Sequence, residues 1–430
     1  MTKGRTAAQN LTFSQCDALI FAPDAGALLQ VCGISLLERS LRILQRLGCS
    51  KVTVLADASE EIALALSKPS WARSEIAISV RSLRGKAPQP DRAGRPVLIT
   101  SASGYVEPRL LQALLDRGRP GIIVDSNPPA ELLSSGLRTT HGWFCGAALV
   151  DARRHLLETN EPSLFPDILA AAESGELEII DVEKEPRYVT SLRREIRPLW
   201  FPVPSPQQRR HAENLILNAA QNGALDLPAK VHAPIETWIV RRLCRAPITP
   251  TQITLLTAAV SGVTTWNFAT GHLIAGTLLA LTVGVLDGLD GKQARVKVET
   301  TELGKREHLL DYVLELSWWS ALAFHFASMH QLPQAGLWLA LLFVADLIDR
   351  LAKANVKRQT GRNLDDVSPF DRLVRLIGGR RNIYVWILAA GLALGVADKA
   401  FFGLCAWGGM TAAIHVFRAV AIRRQRSQLA

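Results

Sequence analysis

The chain has 430 residues, a formal net charge of +10, and 48% hydrophobic against 20% charged residues. That length exceeds one ordinary hydrophobic core and predicts two domains. A basic surplus suits nucleic acid or an anionic membrane. Because the arginines sit beside long apolar segments from Thr254 onward, a membrane is the expected partner and nucleic acid is not.

The first fifteen residues lack the apolar core of a signal peptide, so none is expected. The six cysteines are scattered without a Cys-x-x-Cys pair, which argues against a zinc site or a disulfide framework and for a reduced cytosolic face. Residues 17–22 predict a short apolar strand. Residues 35–47 carry Leu36, Leu37, Leu41, Leu44 and Leu47 at helical spacing, stopped by Gly48. Residues 51–56, 97–100 and 121–124 predict three more strands. Strands alternating with helices predict a parallel, three-layer α/β head over residues 14–195.

Residues 196–225 hold Pro198, Pro202, Pro204 and Pro206 and then a helical stretch, the composition of a linker. Residues 226–430 form the second domain. Its first helix, near 228–245, sets Val231, Ile235, Trp238, Ile239 and Leu243 against Lys230, Arg241, Arg242 and Arg245, the pattern of a helix lying in a membrane interface. Six apolar segments follow near 253–270, 272–294, 303–329, 335–354, 383–396 and 400–422, and predict an all-α domain of six transmembrane helices. Lys297, Lys353, Lys357, Arg358, Arg362, Arg372, Arg375, Arg380 and Arg381 cluster on one side and the C-terminal tail is basic, whereas the turns near Gln331 and Asp398 are nearly uncharged. The positive-inside rule then predicts a multi-pass protein of the inner (cytoplasmic) membrane, with both termini and the Asp287 segment cytoplasmic. Trp266, Trp318, Trp319, Trp338, Trp386 and Trp407 are expected as interfacial anchors, and His272, His325, His330 and His415 as interface or packing residues.

The chemistry concentrates in Asp287-Gly288-Leu289-Asp290-Gly291-Lys292-Gln293-Ala294-Arg295, at the end of an apolar run. Asp287 and Asp290 share one helix face. Carboxylates at membrane depth are costly and mark function. Glu307, Asp311 and Glu315 recur every four residues and form a second acidic stripe. Like charges gathered this way need cations, and hard carboxylate oxygens suit Mg²⁺ or Mn²⁺.

Asp287-x-x-Asp290-Gly291-x-x-Ala294-Arg295, then eight residues to Gly304, resembles the signature of the CDP-alcohol phosphotransferases, D-x-x-D-G-x-x-A-R-x8-G-x3-D-x3-D. Thr249-Pro250-Thr251-Gln252-Ile253-Thr254 resembles the family's T-P-N-x-I-T entry to its first span, with threonine for asparagine. The resemblance covers roughly residues 226–425. The second half departs from the pattern: counting from Gly304 lands on His308 and Tyr312, and a one-residue deletion restores Glu307 and Asp311, so the third acidic position falls to Glu307 or His308, and the register with Glu307 is preferred.

The resemblance implies a two-metal site held by Asp287, Asp290, Glu307 and Asp311, with Asp311 also the general base on the acceptor hydroxyl. It implies that Gly291 and Ala294 let cytidine and diphosphate approach the backbone and that Arg295 neutralises phosphate. Thr254 and Arg358 are further substrate-binding candidates; Arg358, with Lys357 and Arg362, would meet a phosphate on the acceptor or lipid headgroups. The partners implied are a CDP-alcohol donor (CDP-diacylglycerol or a CDP-polyol), a hydroxyl acceptor with or without a phosphate, membrane lipids and a second copy of the chain. Two other readings of the same residues are an ion-coupled transporter and a scaffold or regulator with impaired catalysis.

Gly33-Ile34-Ser35-Leu36-Leu37-Glu38-Arg39 and the following helix and strand resemble the nucleotidyltransferases that make sugar or polyol nucleotides, and the fusion resembles bifunctional enzymes that make and then use CDP-inositol. The loop Pro23-Asp24-Ala25-Gly26-Ala27-Leu28-Leu29-Gln30 lacks that family's glycine-rich run, arginine and lysine, and Thr100-Ser101-Ala102-Ser103 stands where it has a metal-binding aspartate. The expectation is a degenerate, non-catalytic head.

Overall fold

A computed structural model of the chain describes residues 17–68, 70–73, 75–83, 96–129, 136–151, 164–223, 226–299 and 307–429. Gly304 and the side chain of Glu307 lie outside the described residues. The chain divides into two compact units, Met1–Ala219 with Val296–Glu299, and Ala220–Arg295 with Thr300–Ala430.

The first unit is built on one sheet. The strands of that sheet are β1 (Asp17–Ala22), β2 (Lys51–Ala56), β3 (Ala77–Ser82), β4 (Pro96–Ser101), β6 (Gly121–Asp125), β7 (Gly142–Asp151) and β8 (Glu178–Asp181), and a short β5 (Tyr105–Val106) lies outside it. The central order is β8-β6-β7-β4-β1-β2-β3. Helix α1 (Leu36–Arg46) starts where expected because Ser35 caps it, its hydroxyl accepting from the Glu38 amide at 3.1 Å. Helices α2 (Ser59–Ser67), α3 (Pro108–Arg117) and α4 (Leu164–Glu173) complete the α/β alternation.

The sheet is mixed rather than wholly parallel. β1 runs parallel to β2 and β4, but β7 runs antiparallel to β4 and to β6. Ala147, Ala148, Leu149 and Val150 of β7 are all buried, so its sequence reads as a continuous apolar run and carries no sign of direction.

The segment expected to be a linker is folded in its first part. Trp200–Phe201, here β9, pairs with β5. Trp200 is 1% exposed, and its indole N–H donates to Asp125 Oδ2 at 2.6 Å while Arg197 Nη2 donates to Asp125 Oδ1 at 2.6 Å. Helix α5 (Arg209–Ala219) buries Glu213, which accepts from the Cys32 amide at 3.4 Å. One buried carboxylate, Asp125, holds the chain after residue 195 to the sheet.

The second unit is all-helical: α6 (Leu227–Leu243), α7 (Pro250–Ala269), α8 (Leu273–Lys297), α9 (Glu307–Ser328), α10 (Ala335–Thr360), α11 (Pro369–Ile377), α12 (Arg381–Ala393) and α13 (Ala397–Leu429). Within the described residues each expected apolar segment holds a helix, but two, Leu273–Lys297 and Ala397–Gln425, are long and apolar enough to cross a membrane. The others fall short for local reasons. α10 carries Asp346, Asp349, Arg350 and Lys353 from its middle onward, and α12 has 13 residues. Trp318 and Trp319, expected at the interface, are core residues at 0% and 2% exposure, packed edge-on to each other; Trp266 is 69% exposed. They anchor a cluster with Phe326 of the same helix and with Phe268, Tyr384 and Phe401 of α7, α12 and α13.

Candidate functional site

The site is assembled on the second half of α8, with α6, α7, α9 and α12 around it. α7 begins with a capping box: the Thr249 hydroxyl accepts from the Gln252 amide at 3.3 Å, and the Thr249 amide donates to Gln252 Oε1 at 2.9 Å. That cap sets the register which places Thr254 opposite Asp290. The Thr254 hydroxyl donates to Asp290 Oδ2 at 2.7 Å, and both residues are buried. Thr254, expected to touch substrate, thus meets a motif carboxylate.

Asp287 meets a partner that the sequence reading did not single out. Arg381 Nη2, at the start of α12, donates to Asp287 Oδ2 at 2.6 Å. The charges of Glu315 and Asp311 of α9 also act on this guanidinium. Three carboxylates around one guanidinium leave a surplus of negative charge. Hard oxygen donors with unneutralised charge fit a divalent cation in chemistry. Among the described residues, however, no group of three or more acidic, histidine or cysteine side chains is already gathered as a metal site.

The offsets of the motif have local explanations. α6 seats on the glycines of α8: a Cβ at Gly284 would stand 3.0 Å from His232 Cε1, and one at Gly288 would stand 2.5 Å from Glu236 Oε1. His232 and Glu236 are four residues apart on α6, as Gly284 and Gly288 are on α8. Glu236 is 7% exposed and accepts from Gln221 Nε2 at 3.3 Å. Burial pushes its carboxyl above the usual range and the Asp287 charge adds to this, while Gln221, Lys292 and Arg295 pull the other way. Lys292, 1% exposed, donates to Thr237 Oγ1 at 2.5 Å and to Gln221. Gln293 donates to the Ile248 carbonyl, and Arg295 Nε donates to the Ala220 carbonyl at 2.8 Å. A Cβ at Gly291 would lie 3.2 Å from Arg295 Nη1, so the missing side chain leaves room for that guanidinium.

Asp287, Asp290, Gly291, Ala294 and Arg295 lie on α8, Thr254 of α7 meets Asp290, and the charge of Asp311 acts on Arg381. Arg358 is placed elsewhere, on a groove between α10 and α13. Glu236 and Arg381 were legible only as a charge in an amphipathic helix and as one of several cytoplasmic arginines.

Residues 247–420 match the family model described as CDP-alcohol phosphatidyltransferase. This segment belongs to the CDP-alcohol phosphatidyltransferase family. The matched segment holds α7 through most of α13, and so both the Asp287 motif and Arg381. A Rubrobacter xylanophilus protein described as a bifunctional IPC transferase and DIPP synthase is 30% identical over 233 residues, which is 53% of this chain and 50% of that one. A Thermococcus kodakarensis protein of the same description is 22% identical over 393 residues, 87% of this chain and 88% of that one. The match to an Aquifex aeolicus protein of that description covers 45% of its length, so the chain spans about half of the bacterial relatives it matches. Among solved structures, the Mycobacterium tuberculosis phosphatidylinositol phosphate synthase with CDP-DAG bound is similar at a TM-score of 0.35 and 19% identity, over 44% of this chain and 94% of that one.

Proposed function

We propose that the chain is a membrane-embedded CDP-alcohol phosphotransferase, which moves a substituted phosphate from a CDP-alcohol to an acceptor hydroxyl and releases CMP. The observation that carries this reading is the α8 constellation inside the family segment: two carboxylates on one face, each held by a side chain from a different helix, with Arg295 two turns on. Asp287, Asp290, Glu307 and Asp311 would hold Mg²⁺ or Mn²⁺. The metals, when bound, polarise the diphosphate and stabilise charge on the attacking and leaving oxygens. Thr254 fixes the rotamer of Asp290. Arg295 would offset diphosphate charge. Asp311 takes the proton of the acceptor hydroxyl as that oxygen attacks phosphorus, and the phosphorus–oxygen bond to CMP breaks.

The donor is CDP-diacylglycerol or a CDP-polyol and the product belongs to phospholipid or polar-headgroup synthesis. In this reading α7, α8, α9, α10, α12 and α13 all cross the inner membrane, the site faces the cytoplasm, and the enzyme works as a homodimer. The head, residues 14–195, does not activate CTP. Its cavity after β1 is about 950 Å³ and is lined by Asp24, Gly26, Leu29, Val203, Ser205 and neighbours, with no lysine or arginine in the lining. Asp24 Oδ1 already accepts from the Gly26 amide at 2.7 Å and from the Ser103 hydroxyl at 3.0 Å, so the loop satisfies itself. A carboxylate without a counter-cation repels a triphosphate.

The test is metal-dependent CMP release by the purified full chain, with CDP-diacylglycerol and CDP-polyols as donors. Asp287→Asn and Asp311→Asn are expected to abolish release while the protein stays folded; full release by both variants would overturn the site. The same preparation should not convert CTP and a phosphorylated polyol into a CDP-polyol, and robust turnover there would restore a catalytic head. The Arg381–Asp287 pair also favours a second reading, a self-satisfied scaffold. A scaffold binds neither Mn²⁺ nor CDP, and the enzyme binds both.

A further inference from the structure

We propose that the outer groove between α10 and α13 binds one anionic phospholipid from the cytoplasmic leaflet. This inference rests on the membrane placement above but not on the transfer reaction.

The groove has a volume of about 490 Å³ and one polar end. That size falls within the range of ligand pockets, roughly 300–1,000 Å³. Its walls are Ile348 and Leu351 of α10 and Val416 and Val420 of α13, each well exposed, between 38% and 61%. Its floor is Ala352 and Ala419, at 8% and 7%, where small side chains let the two helices close together. At one end stand Asn355, Arg358 and Arg423.

The spacing sets the occupant. Ile348, Leu351, Asn355 and Arg358 follow one face of α10, and Val416, Ala419, Val420 and Arg423 one face of α13. At about 1.5 Å per residue, Ile348 to Arg358 spans roughly 15 Å. That is half of a hydrocarbon core of about 30 Å, the depth of one leaflet. An acyl chain laid on the alanine floor therefore brings its phosphate level with both arginines. Charge complementarity selects an anionic headgroup. A polar acceptor does not match an apolar groove open on its flank. A second copy docked by a two-fold axis would bring its own Arg358 and Arg423 toward these.

The experiment uses the full chain, delipidated in detergent and returned to nanodiscs of phosphatidylcholine with graded phosphatidylglycerol. Bound lipid is counted by native mass spectrometry and stability is read from the melting temperature. Two basic residues should give a preference for phosphatidylglycerol on the order of thirtyfold. Arg358→Gln with Arg423→Gln should remove that preference and leave the fold intact, since both residues are exposed. Equal binding of the two lipids, or a preference that survives the double variant, overturns the proposal. So does protection by inorganic phosphate equal to that by phosphatidylglycerol, or loss of a dimer as the main effect of the substitutions. A protein that stays soluble without detergent sinks the membrane reading itself, and an absence of CMP release sinks only the transferase reading.

Discussion

Arg381 Nη2 lies 2.6 Å from Asp287 Oδ2, joining residues 94 positions apart at the entry to α12 and in the second half of α8. The arginine supplies countercharge to the carboxylate that the family signature assigns to metal, and the charges of Asp311 and Glu315 also act on it. A cation arriving at Asp287 competes with it. Arg381→Gln is therefore expected to tighten Mn²⁺ binding by about tenfold or more, the scale of close charge-pair coupling. Electron paramagnetic resonance titration of free Mn²⁺ measures this. Unchanged or weaker binding would make Arg381 a purely structural partner.

Thr254→Val keeps the shape of the side chain and deletes the hydroxyl that donates to Asp290. A hydrogen bond to a charged group contributes about 1.5–3 kcal/mol. Orienting partners of metal ligands typically govern affinity by about 10–100-fold. Mn²⁺ affinity should fall within that range, with a smaller loss in Thr254→Ser. If serine fails to restore binding, the hydroxyl is not what positions Asp290.

His232 gives the bundle a pH dependence. Burial holds its imidazole below the usual range, against the raising pull of Asp226 and of the Gly284 carbonyl, with Arg381 lowering it further. The folded state thus favours neutral His232, while the unfolded chain takes a proton below about pH 6.5. The stability it contributes is present above that pH and is lost as pH falls toward the folded value, by at most about 1.4 kcal/mol per pH unit. Melting temperatures between pH 7.5 and 5.5 should fall in the parent and fall less in His232→Gln. Parallel slopes would assign the effect to other groups.

Gly391 lets α12 cross α13. A Cβ there would stand 2.2 Å from Ala400 Cβ and 3.5 Å from its Cα. Alanine gains about 0.5–1 kcal/mol of helix preference over glycine. Overpacking against a neighbouring helix costs about 1–3 kcal/mol. Gly391→Ala should lower the melting temperature, and Ala400→Gly in the same chain should recover most of it. A Gly391→Ala variant as stable as the parent would show that the helices can part at no cost.

Four strands of the head, β1, β2, β4 and β6, were legible because their apolar runs end at polar or glycine residues, and α1 because its leucines share a face and Ser35 caps it, whereas β3, β7 and β8 were not foreseen. The direction of β7 was not legible, since a strand buried on both faces has no alternation to read. Nor was the folding of residues 196–201 onto the sheet, because that depends on Asp125, far away in sequence. Trp318 and Trp319 misled for a related reason: tryptophan composition fits an interface and a core equally well, and packing chooses.

By itself the sequence determined the chemistry of the site: two carboxylates one helical turn apart, small residues beside them and an arginine after them, because periodicity and spacing are local properties of one helix. Only the tertiary structure decided what each carboxylate faces. Asp290 meets Thr254 because a capping box sets the register of α7, Asp287 meets Arg381 because α12 begins beside α8, and Glu236 is buried because α6 closes over two glycines. Those contacts join segments distant in sequence, and the free energy that selects them comes from packing whole helices together, which no local pattern encodes.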